Sequence, residues 1–161
     1  IEPALISEAK EFLEKNRTAV MAFCFPPDPT PHASTIYYVY NNSQSLFFAT
    51  TKNGGKATAV MLNSKVALVI THEEEKQTMQ IEGYGQIISE PLRRTEILES
   101  IYQKLKQDLS KPIIWPLLKL HPEDVEIVEI KIDWFKYSHF KDEANIVEGS
   151  GIDLQLAENN A

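Results

Sequence analysis

Hydrophobic and polar positions along this chain follow two rhythms, and the switches between them divide it into short elements. Pro3 to Asn16 keeps the helical rhythm. Leu5, Ala9, Phe12 and Leu13 form an apolar stripe, Pro3 suits the first turn, and Glu8, Lys10, Glu11 and Lys15 fall outside it. This helix is expected to cap an open barrel end. Thr18 to Phe25 is apolar on both strand faces and reads as a central strand. The proline-rich run Pro26 to Pro31 reads as a stiff connection. His32 to Asn41 is the next strand, with Ser34, Ile36 and Tyr38 on one face and Thr35, Tyr37 and Val39 on the other. A turn at 41–44 joins it to a strand over Ser45–Thr50.

The next stretch carries the chemistry. Thr51 to Gly55 is a turn cluster, and Ala57, Val60 and Met61 recur at helical spacing until Asn63-Ser64 stops the helix. A strand that ends in threonines, crosses Gly54-Gly55 and enters a helix on Lys56 is suited to an anion. Backbone N–H groups, the positive end of the helix dipole and the lysine all face the same way. As a pattern alone, Gly-Gly before a helix is more often only a turn.

Val66 to Ile70 is a buried-type strand, and 72–76 reads as a solvated hairpin turn despite its three carboxylates. Gln77 to Ser89 is a long strand in which Gly83 and Gly85 suggest a bulge or a close backbone approach. Ser89-Glu90-Pro91 opens a helix whose buried stripe is Ile97, Ile101 and Leu105, with Leu98 and Tyr102 beside it. Pro112 to Leu120 reads as irregular or briefly helical, with Trp115-Pro116 an exposed-looking apolar element available to a partner subunit. Val125 to Ile132 alternates as a half-buried strand, Asp133-Trp134 marks a bend, and Phe135 to Phe140 is a last strand. From Asp142 onward the chain is polar and reads as a mobile tail, unless Ile152, Leu154 and Leu156 lie against a neighbouring chain.

Composition narrows the function classes. A chain of 161 residues, 43% hydrophobic and 24% charged, is one domain's worth of globular material. A net charge of −7 without any basic stripe argues against nucleic acid and anionic membranes as partners. No apolar run reaches bilayer-spanning length, and Ile1-Glu-Pro-Ala lacks a signal-peptide pattern. The single cysteine, Cys24, excludes an internal disulfide and fits a reducing cytoplasm. Four scattered histidines offer no metal motif, and hydrolase and NTPase signatures are absent. No catalytic residue stands out, which suits a protein that binds and orients a cofactor.

The ordered set of segments carries a family resemblance. His32-Ala-Ser-Thr-Ile-Tyr-Tyr-Val-Tyr40, Leu46-Phe-Phe-Ala-Thr50, Lys56-Ala57, Leu62-Asn63, Val66-Ala-Leu-Val69, then Gln77 leading to Ile81-Glu-Gly83 resemble the pyridoxamine 5′-phosphate oxidase-like, FMN-binding split-barrel proteins. The resemblance covers roughly residues 15–90 and weakens toward about residue 140. It implies a mainly β fold, a six- to seven-stranded antiparallel split barrel with peripheral helices. On this reading residues 1–141 form the barrel domain and 142–161 the polar tail. It also implies a homodimer with FMN in a groove between the subunits, and oxidoreductase activity on a small-molecule substrate.

The resemblance assigns roles residue by residue. Ser34, Thr35, Ile36 and Tyr37 fall on the strand whose backbone borders the isoalloxazine ring. Ala49 and Thr50 fall on the flavin-contacting pair at a strand end. Thr51 lies in the phosphate loop, Lys56 is the phosphate-binding lysine, and Gln77 falls on a flavin-contacting glutamine. Three cations of the oxidases are missing: Gly55 replaces an arginine, and Ser34 and Val39 replace an arginine and a lysine. Each lost charge-assisted bond is worth roughly 1.5–3 kcal/mol. The motif that grips pyridoxal phosphate is not recognisable around Trp134 to Phe140, so pyridoxamine phosphate oxidation itself is not expected. Two other readings stay open: a binding or sequestering module for a flavin, a deazaflavin or haem on the same fold, and a dimeric barrel with no small ligand.

Overall fold

The computed structural model describes residues 2–107, 110 and 121–158. The elements run α1 (Pro3–Lys15), β1 (Thr18–Phe25), β2 (Asp28–Tyr40), β3 (Ser45–Thr51), α2 (Gly55–Leu62), β4 (Lys65–His72), β5 (Gln77–Ile88), α3 (Pro91–Lys106), β6 (Val125–Phe140), β7 (Ala144–Gly149) and α4 (Gly151–Leu156). All strand pairings are antiparallel, in the order β3-β2-β1-β4-β5-β6-β7, and β3 also pairs with β6. That last ladder closes β1 to β6 into a ring, leaving β7 as an extension on β6. The split barrel expected from the sequence is the fold.

β6 makes the closure possible. Its first half, through Lys131, pairs with β3, its second half, from Phe135, pairs with β7, and β5 runs along both. The change of neighbour coincides with a bulge, where Glu82 faces Trp134 but Gly83 faces Ile132, so Asp133 is the extra residue. Gly83 is required there, because a Cβ would lie 2.3 Å from the Lys131 carbonyl oxygen. The bend expected at Asp133-Trp134 is therefore a bulge inside one continuous strand.

The barrel interior holds Met21, Ile36, Tyr38, Phe48, Ile81 and Phe135 among its buried side chains. α1 stoppers one end with Phe12 and Leu13, and the Tyr38 hydroxyl donates to the Leu13 carbonyl at 2.8 Å. A second apolar layer lies outside the ring. There α3 covers Tyr37, Val39, Phe47, Ala49, Val125 and Ile127 with Leu98, Ile101 and Leu105. The carboxylate of Glu90, rather than Ser89, caps α3 by accepting from the N–H groups of Leu92 and Arg93.

Several expectations need correction. The prolines of 26–31 do not form a separate connection. Pro26-Pro27 is a cis tight turn, and β2 begins at Asp28, paired with Phe25. Pro29 and Pro31 alternate, so both rings sit at equivalent positions on a strand end that lacks a second neighbour, where a missing N–H costs no ladder bond. Residues 144–156 are a strand and a helix rather than a mobile tail. β7 pairs with β6, and α4 buries Leu154 behind a Ser150–Asp153 capping box. Polarity hid them because β7 and α4 each bury only a narrow edge. Lys10, expected outside α1, is buried because α4 lies over it, with Nζ bonded to Asn42 Oδ1 at 2.5 Å and the Ala157 carbonyl at 2.8 Å. The outer face of β1 is uncovered: Val20 is 42% exposed and neighbouring Val69 38%. Trp115-Pro116 and the rest of 112–120 lie outside the described residues.

Lys104 of α3 is a buried charge without a hydrogen bond. Its ammonium sits 4.4 Å from the centroid of the Tyr38 ring. Burial pulls its pKa down to about 8, with Glu14 pulling weakly the other way. The folded state therefore binds fewer protons than the unfolded chain between about pH 8 and the ordinary lysine range, so stability gained from deprotonation rises with pH across that window. Urea unfolding at pH 8 and pH 10 should show the protein gaining about 2 kcal/mol from this group. Lys104→Met should abolish that gain. Equal pH slopes for the two proteins would show that the ammonium is not buried in this way.

Candidate functional site

The end of the barrel opposite α1 is where α2 crosses. The chain reaches it because β3 stays paired with β6 up to Thr51, and the Lys52 N–H then donates to the Asp124 carbonyl at 2.8 Å. The Gly54 N–H turns back to the Thr51 carbonyl at 3.0 Å, and α2 starts at Gly55 with Gly54 as its N-cap. No side chain caps this helix, so its first-turn N–H groups are left for another acceptor. Lys56, at the second helical position, donates from Nζ to the Ser34 hydroxyl at 3.1 Å. Partial burial holds the Lys56 ammonium below the usual lysine range. An anion here would meet N–H groups, a hydroxyl and one cation.

The two glycines differ in kind. A Cβ on Gly54 would lie 2.4 Å from Thr51 Oγ1 and 3.0 Å from the Thr51 carbonyl, so a larger residue there displaces the Thr51 side chain and crowds its carbonyl. A Cβ on Gly55 would meet only the Phe25 ring, at 3.5 Å. The fold admits a Cβ at position 55, and the sequence leaves it out.

Beside α2 stands a group of rings that the sequence reading did not single out. Phe23 stacks on His32 with centroids 5.7 Å apart, and Phe25 meets His32 edge-on at 5.0 Å. Alternation of Phe23 and Phe25 on β1 was the available signal; the register that pairs Phe23 with His32 was not readable. On the outer face, a groove of about 470 Å³ runs along β1, β4 and β5, lined by Phe23, Cys24, Pro31, Lys65, Glu82 and Tyr84 among others.

The candidate residues are distributed unevenly. Ser34 and Lys56 are in contact, and Thr51 shapes the turn between them. Thr50 is buried at the end of β3, and Ile36 lies in the barrel core. Tyr37 and Ala49 lie under α3 in the outer apolar layer. Thr35 is exposed on the outer face beside Val20. Gln77 is at the far end of the barrel. Ser34 is level with Met21, Leu68 and Ile81, and Gln77 lies four residues before Ile81, about 13 Å along the strand on the α1 side. There its amide donates to the Tyr137 hydroxyl at 2.8 Å, and that hydroxyl donates to Glu8 of α1 at 2.9 Å. Within one chain the structure does not bring Gln77 to Lys56. Among the described residues no group of three or more histidine, cysteine, aspartate or glutamate side chains gathers in a metal-binding arrangement.

A closed antiparallel ring of six strands with a helix across its mouth defines the class by fold: split-barrel proteins. The family model described as pyridoxamine 5′-phosphate oxidase matches residues 5–139, and the chain belongs to that family. No curated protein sequence matches. Among solved structures, similar folds include an FAD-binding protein from Mesorhizobium loti at 15% identity and TM-score 0.62, with 81% of this chain and 91% of that one covered. An F420 reductase superposes at 20% identity and TM-score 0.60, covering 78% and 94%. A heme binding protein from Mycobacterium smegmatis superposes at 10% identity and TM-score 0.70, covering 99% of this chain and 63% of that one. At these identities the likeness is one of fold.

The glycine pair gives a direct test of the loop. Gly54→Ala should destabilise the protein by about 1–2 kcal/mol through the Thr51 contacts, while Gly55→Ala should stay within about 0.5 kcal/mol. Denaturant midpoints decide it, and similar losses at both positions would contradict the geometry.

Proposed function

We propose that this protein is a homodimeric flavin-binding oxidoreductase acting on a small-molecule substrate in the cytoplasm. The observation that carries the reading is the Lys56–Ser34 pair beside the uncapped start of α2, in a chain of the pyridoxamine 5′-phosphate oxidase family. FMN is the ligand that the family implies. Lys56, Ser34 and the first-turn N–H groups of α2 would hold its phosphate, and Thr51 keeps the loop in shape. A bound flavin supplies hydride transfer, which accounts for the lack of a recognisable acid–base pair in the sequence. The chain's own part is to bind and orient the ring system and to exclude water from it. Gln77, engaged with Tyr137 at the far end, is left out of the proposed set.

A second copy of the chain is part of the proposal. The outer face of β1 and β4 exposes Val20 and Val69 beside a smaller groove of about 220 Å³ that includes Trp134. An uncovered apolar sheet face of this kind suits subunit contact. The second reading, a binding protein for a deazaflavin or haem without turnover, is favoured by Gly55, Ser34 and Val39 standing where the oxidases carry cations.

Lys56→Ala should weaken flavin nucleotide binding at least several-fold, read by quenching of flavin fluorescence, with the apo melting temperature almost unchanged. Equal affinity would remove the anion site. Sedimentation at micromolar concentration should give a dimer that Val69→Glu shifts toward monomer. A monomeric wild type would contradict the two-chain groove.

A further inference from the structure

A second cavity, of about 790 Å³, opens between α1, α3 and the turn that follows β2. It lies toward the α1 end of the barrel. From Ser34 to Tyr40, which lines it, β2 runs about 20 Å, so it is separate from the Lys56 site. Its lining carries both signs of charge in balance, Lys15 and Lys104 against Glu14 and Glu99. Two of these four are accounted for: Lys15 is exposed to solvent, and Glu99 accepts from Gln103 Nε2 at 2.7 Å.

Lys104 and Glu14 are in a different position. The Lys104 ammonium is buried with no hydrogen-bond acceptor and faces the Tyr38 ring at 4.4 Å. A ring face attracts the charge but leaves the three N–H donors unmet, a costly state for a buried ammonium. Glu14, partly buried, acts on Lys104 through its charge, with no hydrogen bond between them. We propose that this cavity binds a small zwitterion of the amino-acid class, its carboxylate accepting from Lys104 and its ammonium donating to Glu14.

Charge balance selects that ligand. A phosphate or a dicarboxylate would set its second negative charge against Glu14 and Glu99, and an amine alone would leave Lys104 without an acceptor. A zwitterion answers both groups and adds no net charge to a balanced lining. The rim favours a polar side chain. Asn41 and Gln107 are exposed amides there, and the Asn42 carbonyl oxygen is taken by Lys10 Nζ, which leaves the Asn42 amide N–H groups to donate. A side chain ending in an amide suits this rim, and the volume is within the range of small-molecule sites.

Binding then carries a proton signature. Burial pulls the Lys104 pKa down to about 8, so at pH 8 about half of the folded molecules hold it neutral. A carboxylate beside it favours the ammonium, raises that pKa and draws protons from the buffer.

The test is calorimetric titration of the full chain at pH 8, in two buffers of different ionisation enthalpy. The probes are L-glutamine, N-acetyl-L-glutamine, which lacks the ammonium, and L-glutaminamide, which lacks the carboxylate. Wild type should bind L-glutamine with a dissociation constant of about 1 mM or tighter, and each blocked probe at least ten-fold more weakly. Lys104→Met should weaken L-glutamine at least ten-fold and abolish the proton uptake, while Lys104→Arg retains binding within a few-fold. Glu14→Gln should weaken L-glutamine several-fold and leave N-acetyl-L-glutamine unchanged. Melting temperatures confirm that each variant is folded. Equal affinity for L-glutamine and either blocked probe would overturn the inference, and so would full affinity in folded Lys104→Met. Absence of binding to wild type would overturn it as well, leaving the Tyr38 ring as the partner of Lys104. None of these outcomes touches the flavin reading, which concerns the other end of the barrel.

Discussion

Pairing of β3 with β6 is the constraint on which the rest of the structure depends. Without it the sheet would be an open ribbon with β3 as an unprotected edge, exposing unpaired backbone groups over Ser45–Thr51. Closing the ring buries Leu46 and Phe48 inside and leaves Phe47 and Ala49 to be covered by α3, so both apolar layers follow from one ladder. It also fixes where β3 ends. The last ladder pair, Thr51 with Val125, and the Lys52 bond to Asp124 set the point at which the chain must turn into α2. The candidate site is thus positioned by the barrel's closure.

That closure in turn depends on one strand serving several neighbours. β6 exchanges β3 for β7 at the Asp133 bulge, and Gly83 permits the close backbone approach that the bulge needs. β7 then carries α4 onto α1, where Lys10 ties the helix to both the 41–44 turn and the end of α4. One end of the barrel is consequently held by a network of buried polar contacts, including Gln77, Tyr137 and Glu8. The other end, under α2, has a half-buried lysine, a hydroxyl and unclaimed N–H groups. The proposed flavin site is therefore set at the second end, where the unclaimed first-turn N–H groups of α2 gather beside Lys56 and Ser34.

Much of this was readable from the sequence, and the failures share a cause. Strands with sharp boundaries, the Lys56 helix and the Gly83 irregularity followed from periodicity and turn chemistry; the family resemblance named Ser34 and Lys56 separately, and their contact is visible only in the structure. What was missed depended on non-local packing. Lys10 looked like a surface residue because nothing near it in sequence announces α4, and residues 144–156 looked like a tail because their apolar positions are few. The Pro29 and Pro31 strand was hidden because proline normally argues against pairing, and only the open edge beside β2 makes it acceptable. The candidate list mixed residues on opposite sheet faces, such as Thr35 and Ile36, because the resemblance concerns strand backbone whereas side-chain direction alternates. Gln77 matched by order along the chain, yet the register places it four residues from the level of Ser34.

The central claim is that the uncapped start of α2 with Lys56 and Ser34 holds the phosphate of a flavin-type cofactor. The visible absorption spectrum of freshly purified protein, repeated after incubation with flavin nucleotides and gel filtration, tests it most directly. The account predicts flavin bands that travel with the protein and disappear in Lys56→Ala. A protein that stays colourless after this treatment, or one that shows only a Soret band, would contradict it.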